Sequence, residues 1–131
     1  MKVSFDFDGT LSRKDVQEYA KSLVNSGVEV WIVTSRFDDE NAMKKNWHWI
    51  KGQNKNLFNV AEECGIKLDN IQFTCMESKS IFLKDKGFIF HLDDDVDELM
   101  DILDSKDGCK PVNVDHFDWK NTCEYCLNLF K

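Results

Sequence analysis

Proline is almost missing from this chain, occurring once, and glycine occurs only six times in 131 residues. So small a supply of turn-forming and chain-stiffening residues excludes collagen-like and proline-rich extended architectures. A hydrophobic content of 42% with 12% aromatics excludes a chain too polar to fold. Long apolar stretches are also wanting. No run approaches the roughly 18 residues that a membrane-crossing helix needs, and the apolar run at the amino terminus is broken by Asp6 and Asp8. The expectation is a soluble, unexported, cytoplasmic protein with no membrane partner. Positive charge is in deficit, with 17 basic against 24 acidic residues and a net charge of −7. That balance excludes an extended nucleic-acid surface and leaves room for a local anion site.

Cysteine is present in an odd number, at Cys64, Cys75, Cys109, Cys123 and Cys126, so the five cannot all pair within one chain. A reducing compartment fits them better than a secreted disulfide framework. Cys123 and Cys126, with Cys109 and His116 upstream, carry the thiolate and imidazole ligands that zinc prefers. The same region reads more simply as an amphipathic helix over Trp119–Phe130, with Trp119, Cys123, Cys126, Leu127 and Phe130 on one stripe, which makes the thiols core residues.

What the chain does contain is an alternation of short β-rich apolar runs with longer amphipathic segments. The runs are Val3–Phe7, Val28–Thr34, Ile71–Thr74, Phe88–Leu92 and Pro111–Val114. Helical patterns lie between them over Lys14–Ser26, over Asp38–Cys64 with an interruption at Gly52, over Ser78–Lys86 and over Val96–Ser105. This predicts one α/β domain over residues 1–131, a doubly wound, Rossmann-like parallel sheet of about five strands with helices on both faces. Sheets of this kind place their sites at the carboxyl ends of the strands.

Those ends are chemically loaded. The first run delivers Asp6 and Asp8, one residue apart, followed by Gly9; two carboxylates aimed into one site imply a hard cation with oxygen ligands, most simply Mg²⁺, or alternatively a turn rich in Asp and Gly that merely ends the strand. The second ends in Thr34-Ser35-Arg36, a hydroxyl, backbone N–H groups and a guanidinium that suit a phosphate, or alternatively an ordinary helix cap. The fourth ends in Asp93-Asp94-Asp95, acids that serve a cation or the amino terminus of the next helix.

In this order the residues resemble the haloacid dehalogenase-like superfamily of phosphohydrolases. Its first motif, Asp-x-Asp-Gly-Thr, is matched at Asp6–Thr10, its Thr/Ser motif at Thr34, and its paired acids at Asp93 and Asp94. The third motif is a Lys, for which Lys79, Lys84 and Lys86 compete. A helix running back from the carboxyl edge puts Lys79 beside the site and Lys84 about 7.5 Å further away, which selects Lys79. The resemblance implies that Asp6 is the nucleophile and Asp8 the general acid and base. It implies that Thr34 and Lys79, with Ser35 and Arg36, take the phosphoryl oxygens. It also implies that Mg²⁺ is held by Asp6, the backbone carbonyl of Asp8, Asp93 and Asp94. An acid at position 8 resembles the phosphatases and phosphomutases of that superfamily rather than its dehalogenases or transport ATPases.

The 24 positions from Thr10 to Thr34 leave no room for a cap, and the 45 from Thr34 to Lys79 leave only a short excess over residues 37–56, with Trp47, His48, Trp49 and Lys51. That excess reads as a packed helical segment or a small lid. An open site of this kind expects closure by a large phosphorylated substrate or by a second copy of the chain. The substrates that follow are a nucleotide or phosphate-ended polynucleotide, a sugar phosphate or a phosphoprotein. The competing reading is a catalytically idle binding or regulatory domain of the same fold. His91, within a buried run, reads as a satisfied core histidine.

Overall fold

The β-branched and aromatic runs become strands and the amphipathic segments become helices in the computed structural model, which describes residues 1–50 and 52–131. The strands are β1 (Lys2–Phe5), β2 (Glu29–Thr34), β3 (Ile71–Phe73), β4 (Phe88–Asp93) and β5 (Lys110–Asn113). The helices are α1 (Lys14–Asn25), α2 (Asp39–Lys44), α3 (Lys55–Cys64), α4 (Lys79–Leu83), α5 (Val96–Asp104) and α6 (Trp119–Asn128). All strand pairs are parallel and the order is β3-β2-β1-β4-β5. The chain winds outward from β1 through β2 to β3 and then crosses to β4 and β5. The order therefore reverses between β1 and β4, and a crevice opens at such a reversal.

Two cores follow from the period-two alternation of the strands. On one face Val3, Phe5, Ile32 and Leu92 pack beneath α1, α3 and α6. The Tyr19 ring of α1 meets Trp119 of α6 edge-on at 5.5 Å and Phe5 at 6.2 Å. The other face is smaller, with Val33 and Phe88 against Leu83 of α4 and Ile102 of α5. A register shift between Lys2 and Ser4 gives β4 one extra residue there, so that both Ile89 and Phe90 reach the larger core.

The elements differ from expectation at their ends. β1 stops at Phe5, because Leu11 N–H bonds the Asp6 carbonyl (3.0 Å) and Ser12 N–H that of Phe7 (2.9 Å), which closes a wide turn over Phe7–Leu11. α4 ends at Leu83 instead of reaching Lys86; Lys84 is extended and Asp85 left-handed at φ 60°, which turns the chain into β4. α6 ends at Asn128, so Phe130 leaves the predicted stripe and is exposed, while Trp119, Cys123, Cys126 and Leu127 are buried. Residues 38–64 form α2 and α3 with a short helical turn, His48–Ile50, between them. No described helix is long and apolar enough to cross a membrane.

Candidate active site

β1 and β4 lie side by side, and alternation puts Ser4 and Asp6 of the first chain segment on the same face as His91 and Asp93 of the second. Ser4 is the register partner of His91, and Asp6 N–H bonds the Leu92 carbonyl at 2.8 Å. This face is roofed by α4, whose first residue is Lys79. The Lys79 side chain is buried, and its Nζ donates to Asp6 Oδ1 at 2.9 Å and to Asp93 Oδ2 at 2.6 Å. Lys84 and Lys86 are exposed. Helix direction therefore brings Lys79 to the acids and takes the other two away, as expected.

One ammonium between two buried carboxylates leaves a deficit of positive charge. Burial and the neighbouring Asp93 push the Asp6 carboxyl up to about 8, against the pull of Lys79. Asp93, although burial opposes it, is held well below the usual carboxylate range by His91 and Lys79. Burial pulls the Lys79 ammonium down, and the two carboxylates more than offset this, so it stays charged.

The far side of Asp93 explains why it is the anchored member. His91 Nε2 lies 2.8 Å from Asp93 Oδ2, and His91 Nδ1 lies 2.6 Å from Ser4 Oγ. A carboxylate only accepts, so Nε2 carries the proton. Burial pushes the ring below its ordinary value and keeps it neutral, so Nδ1 accepts from the Ser4 hydroxyl. Asp93 Oδ1 takes the Asp95 N–H at 3.0 Å. Among the described residues no buried side-chain polar atom lacks a partner. His91 is thus a satisfied core histidine, as its sequence context suggested, but its partner is a carboxylate of the site. Alternation puts Ser4 with Asp6 and His91 with Asp93 on one face of their own strands, and the pairing of β1 with β4 sets the two pairs together.

Asp94 completes the acid cluster. Oxygens of Asp6, Asp93 and Asp94 converge within 4.8 Å of one another, the one such group of three or more metal-competent side chains among the described residues. Thr10 Oγ1 reaches Asp6 Oδ2 at 3.5 Å and Asp94 Oδ1 at 3.4 Å. Gly9 is required beside them. Its φ is +74°, and a Cβ there would stand 2.3 Å from Asp94 Oδ2. Cys109, His116, Cys123 and Cys126 form no such convergence, which favours the core-thiol reading over zinc.

The Asp8 carboxylate is outside this cluster. The turn that ends β1 swings it out, and Arg36 holds it through two parallel bonds, Nε to Oδ2 at 2.8 Å and one terminal nitrogen to Oδ1 at 2.7 Å. The guanidinium rests on the Phe7 ring, 4.9 Å from its centroid, and its other terminal nitrogen donates to the Gln53 carbonyl (2.9 Å) and Asn56 Oδ1 (3.1 Å). Asn54, also buried here, donates to the Phe37 carbonyl at 2.9 Å. Gln53, Asn54 and Asn56 were not singled out from the sequence, because an amide before or in the first turn of a helix carries no pattern that marks a site. Thr34 is buried at the end of β2; its hydroxyl accepts the Arg36 N–H at 3.2 Å and so keeps its own proton to donate. Ser35 is half-buried, and its carbonyl accepts Met76 N–H at 2.9 Å.

Of the predicted residues, Asp6, Lys79, Asp93 and Asp94 are brought into one cluster. Asp8 and Arg36 are joined to each other beside it, and Thr34 and Ser35 occupy the end of the neighbouring strand. Comparison of the chain with protein-family models, with curated proteins and with solved structures gives no match.

Proposed function

We propose that the chain is a Mg²⁺-dependent phosphomonoester hydrolase of the haloacid dehalogenase-like type, working through an aspartyl-phosphate on Asp6. The observation that carries this reading is a buried carboxylate at the reversal point of the sheet, 2.9 Å from a buried ammonium and facing two further acids. The match of Asp6–Thr10 to the Asp-x-Asp-Gly-Thr motif supports it. An all-carboxylate donor set suits a hard divalent cation, and a carboxyl pushed up to about 8 is a group that such a cation would return to its ionised form. Asp6 and Asp94, with the Asp8 carbonyl, would hold the ion. Asp93 has two of its acceptor positions taken on Oδ2 and one on Oδ1, so it serves mainly to fix Lys79. Bound Mg²⁺ supplies positive charge that keeps Asp6 ionised and neutralises phosphoryl oxygens.

In the reaction, an Asp6 oxygen bonds to phosphorus as the ester phosphorus–oxygen bond breaks, and Asp8 gives its proton to the leaving oxygen. Water then attacks phosphorus, losing a proton to Asp8 and releasing Asp6 and phosphate. Lys79 and the Thr34 hydroxyl face the charge that spreads over the phosphoryl oxygens. Asp8 has to leave Arg36 for this, and an incoming phosphoryl group is an anion that suits the same guanidinium fork. Purified protein is expected to hydrolyse a generic aryl phosphate only with Mg²⁺, and Asp6→Asn to lose at least ~1000-fold in kcat, as removal of a nucleophile does. Undiminished turnover by Asp6→Asn in chelator would overturn the reading.

A further inference from the structure

This acidic chain has one long stretch without an acid. From Asn41 to Ala61 there is no Asp or Glu, and the stretch carries Lys44, Lys45, Lys51 and Lys55 with Trp47, His48 and Trp49 among them. The fold ties this stretch to the candidate site through Gln53 and Asn56. Arg36, which grips Asp8, also bonds Gln53 and Asn56, and a recess of about 360 Å³ bounded by Asp8, Arg36, Phe37, Asn54 and Met76 opens beside Asp8. From that recess a line of rings leads outward. Phe37 meets Trp47 at 5.0 Å, and Trp47 meets Trp49 at 5.8 Å with planes only 36° apart. The Lys45 ammonium lies 5.4 Å from the Phe37 ring and 5.3 Å from that of Trp47, and Lys55 is exposed nearby in sequence at the start of α3.

A packed helix would bury its tryptophans, yet Trp49 is 66% exposed. The exposed Trp49, continued inward by the half-buried Trp47 and Phe37 with the Lys45 ammonium against those two, matches a ligand that presents flat faces linked by anions. A sugar phosphate offers neither a second anion nor a π-face, and a phosphopeptide offers no repeating pair of the two. The acidity of the remaining surface excludes a long footprint and confines such a ligand to a short one. We propose that the substrate is the phosphate-bearing end of a single-stranded oligonucleotide, with its terminal phosphate at Asp6 and Lys79 and its last bases on the Phe37–Trp47–Trp49 track. This rests on the phosphatase reading for the reaction, although the track can be tested without turnover.

The test uses tetrathymidylate with a 5′- or a 3′-phosphate, a hexose phosphate, a phosphoserine peptide and a generic aryl phosphate. In the full chain bearing Asp6→Asn, the phosphorylated oligonucleotide is expected to quench tryptophan fluorescence saturably. Adding Trp49→Ala should weaken that binding about tenfold or more, the worth of one stacked base. Lys45→Ala should lower the slope of log affinity against log salt by roughly 0.7, as for one lost phosphate contact on a single strand. With active protein, Trp49→Ala should lower the ratio of kcat/KM for the oligonucleotide to that for the aryl phosphate about tenfold. Equal affinity with and without Trp49, or a peptide or hexose phosphate used as efficiently as the oligonucleotide, would overturn the proposal. If aryl phosphate is hydrolysed and these ratios do not move, the track fails and the phosphatase reading stands. If oligonucleotide binds through Trp49 and no phosphate ester is cleaved, the phosphatase reading fails and the track stands.

Discussion

At the residue scale the consequential feature is the unequal treatment of Asp6 and Asp93, which share one lysine. Asp93 has His91, Lys79 and a backbone N–H and is anchored as a carboxylate; Asp6 has Lys79 and a distant Thr10 hydroxyl, and in the metal-free site holds its proton up to about pH 8. The linkage sign follows from proton counts. Between the ordinary carboxyl value of 3.8 and about 8 the unfolded chain has lost the Asp6 proton and the folded chain has kept it, so stability falls as pH rises through that window. His91, neutral when folded, acts oppositely, but only where the unfolded ring gains a proton, below about 6.5. Above that value Asp6 is left to act without this opposition. Without divalent cation, the wild type should lose up to about 1.4 kcal/mol of stability per pH unit between 6.5 and 8. Asp6→Asn should show a flatter profile, and Mg²⁺ should flatten that of the wild type. Denaturant titrations at three pH values check this; parallel profiles for both proteins would contradict the charge deficit assigned to Asp6.

At the scale of elements, the turn after β1 decides how the acids are presented. Asp6 stays tied to β4 by its backbone bond to the Leu92 carbonyl, whereas the wide turn over Phe7–Leu11 sends the Asp8 side chain to Arg36 and brings Gly9 against Asp94. Only a residue without a side chain passes there, since Asp94 Oδ2 would lie 2.3 Å from a Cβ and the backbone is left-handed. Gly9→Ala should therefore cost ~1–2 kcal/mol of stability through strain. More diagnostically, it should raise the Mg²⁺ concentration for half-maximal aryl phosphate turnover, because Asp94 is the side chain that must move. A thermal melt with a Mg²⁺ titration of activity separates the two effects. Unchanged Mg²⁺ dependence alongside a lowered melting temperature would show that Asp94 is no ligand.

At the scale of the whole molecule, the two cores flank one five-stranded sheet, and both contain cysteine: Cys64, Cys123 and Cys126 in the larger, Cys109 in the smaller. Burial pushes these thiols above their ordinary value, that of Cys109 to about 12, so they are protonated as well as covered. Cys75, in the loop after β3, is the half-buried one. A thiol reagent at neutral pH should titrate about one cysteine in the native protein and all five on unfolding, with the four buried ones appearing in a single transition if the sheet opens as a unit. Rapid native reaction of three or more would contradict this core, and protection by added Zn²⁺ would revive the metal reading of Cys109, His116, Cys123 and Cys126.

The sequence by itself determined the alternation of strand and helix, the parallel sheet, and the strand ends at which acids, hydroxyls and a lysine would lie. These are local properties, set by hydrophobic period and by helix direction, which alone separated Lys79 from Lys84. Helix ends were less legible: α4 stopped at Leu83 and α6 at Asn128 because the chain turns into β4 in one case and runs out of core in the other. Only the tertiary structure decided that His91 and Ser4 stand behind Asp93, since the pairing of β1 with β4 joins residues 87 positions apart. It likewise decided that Asp8 binds Arg36 instead of joining Asp6. A sequence shows which carboxylates arrive at an edge, but the turn that follows the edge aims them, and that turn is shaped by what it packs against: Asp94 on one side and the ring of Phe7 beneath Arg36 on the other.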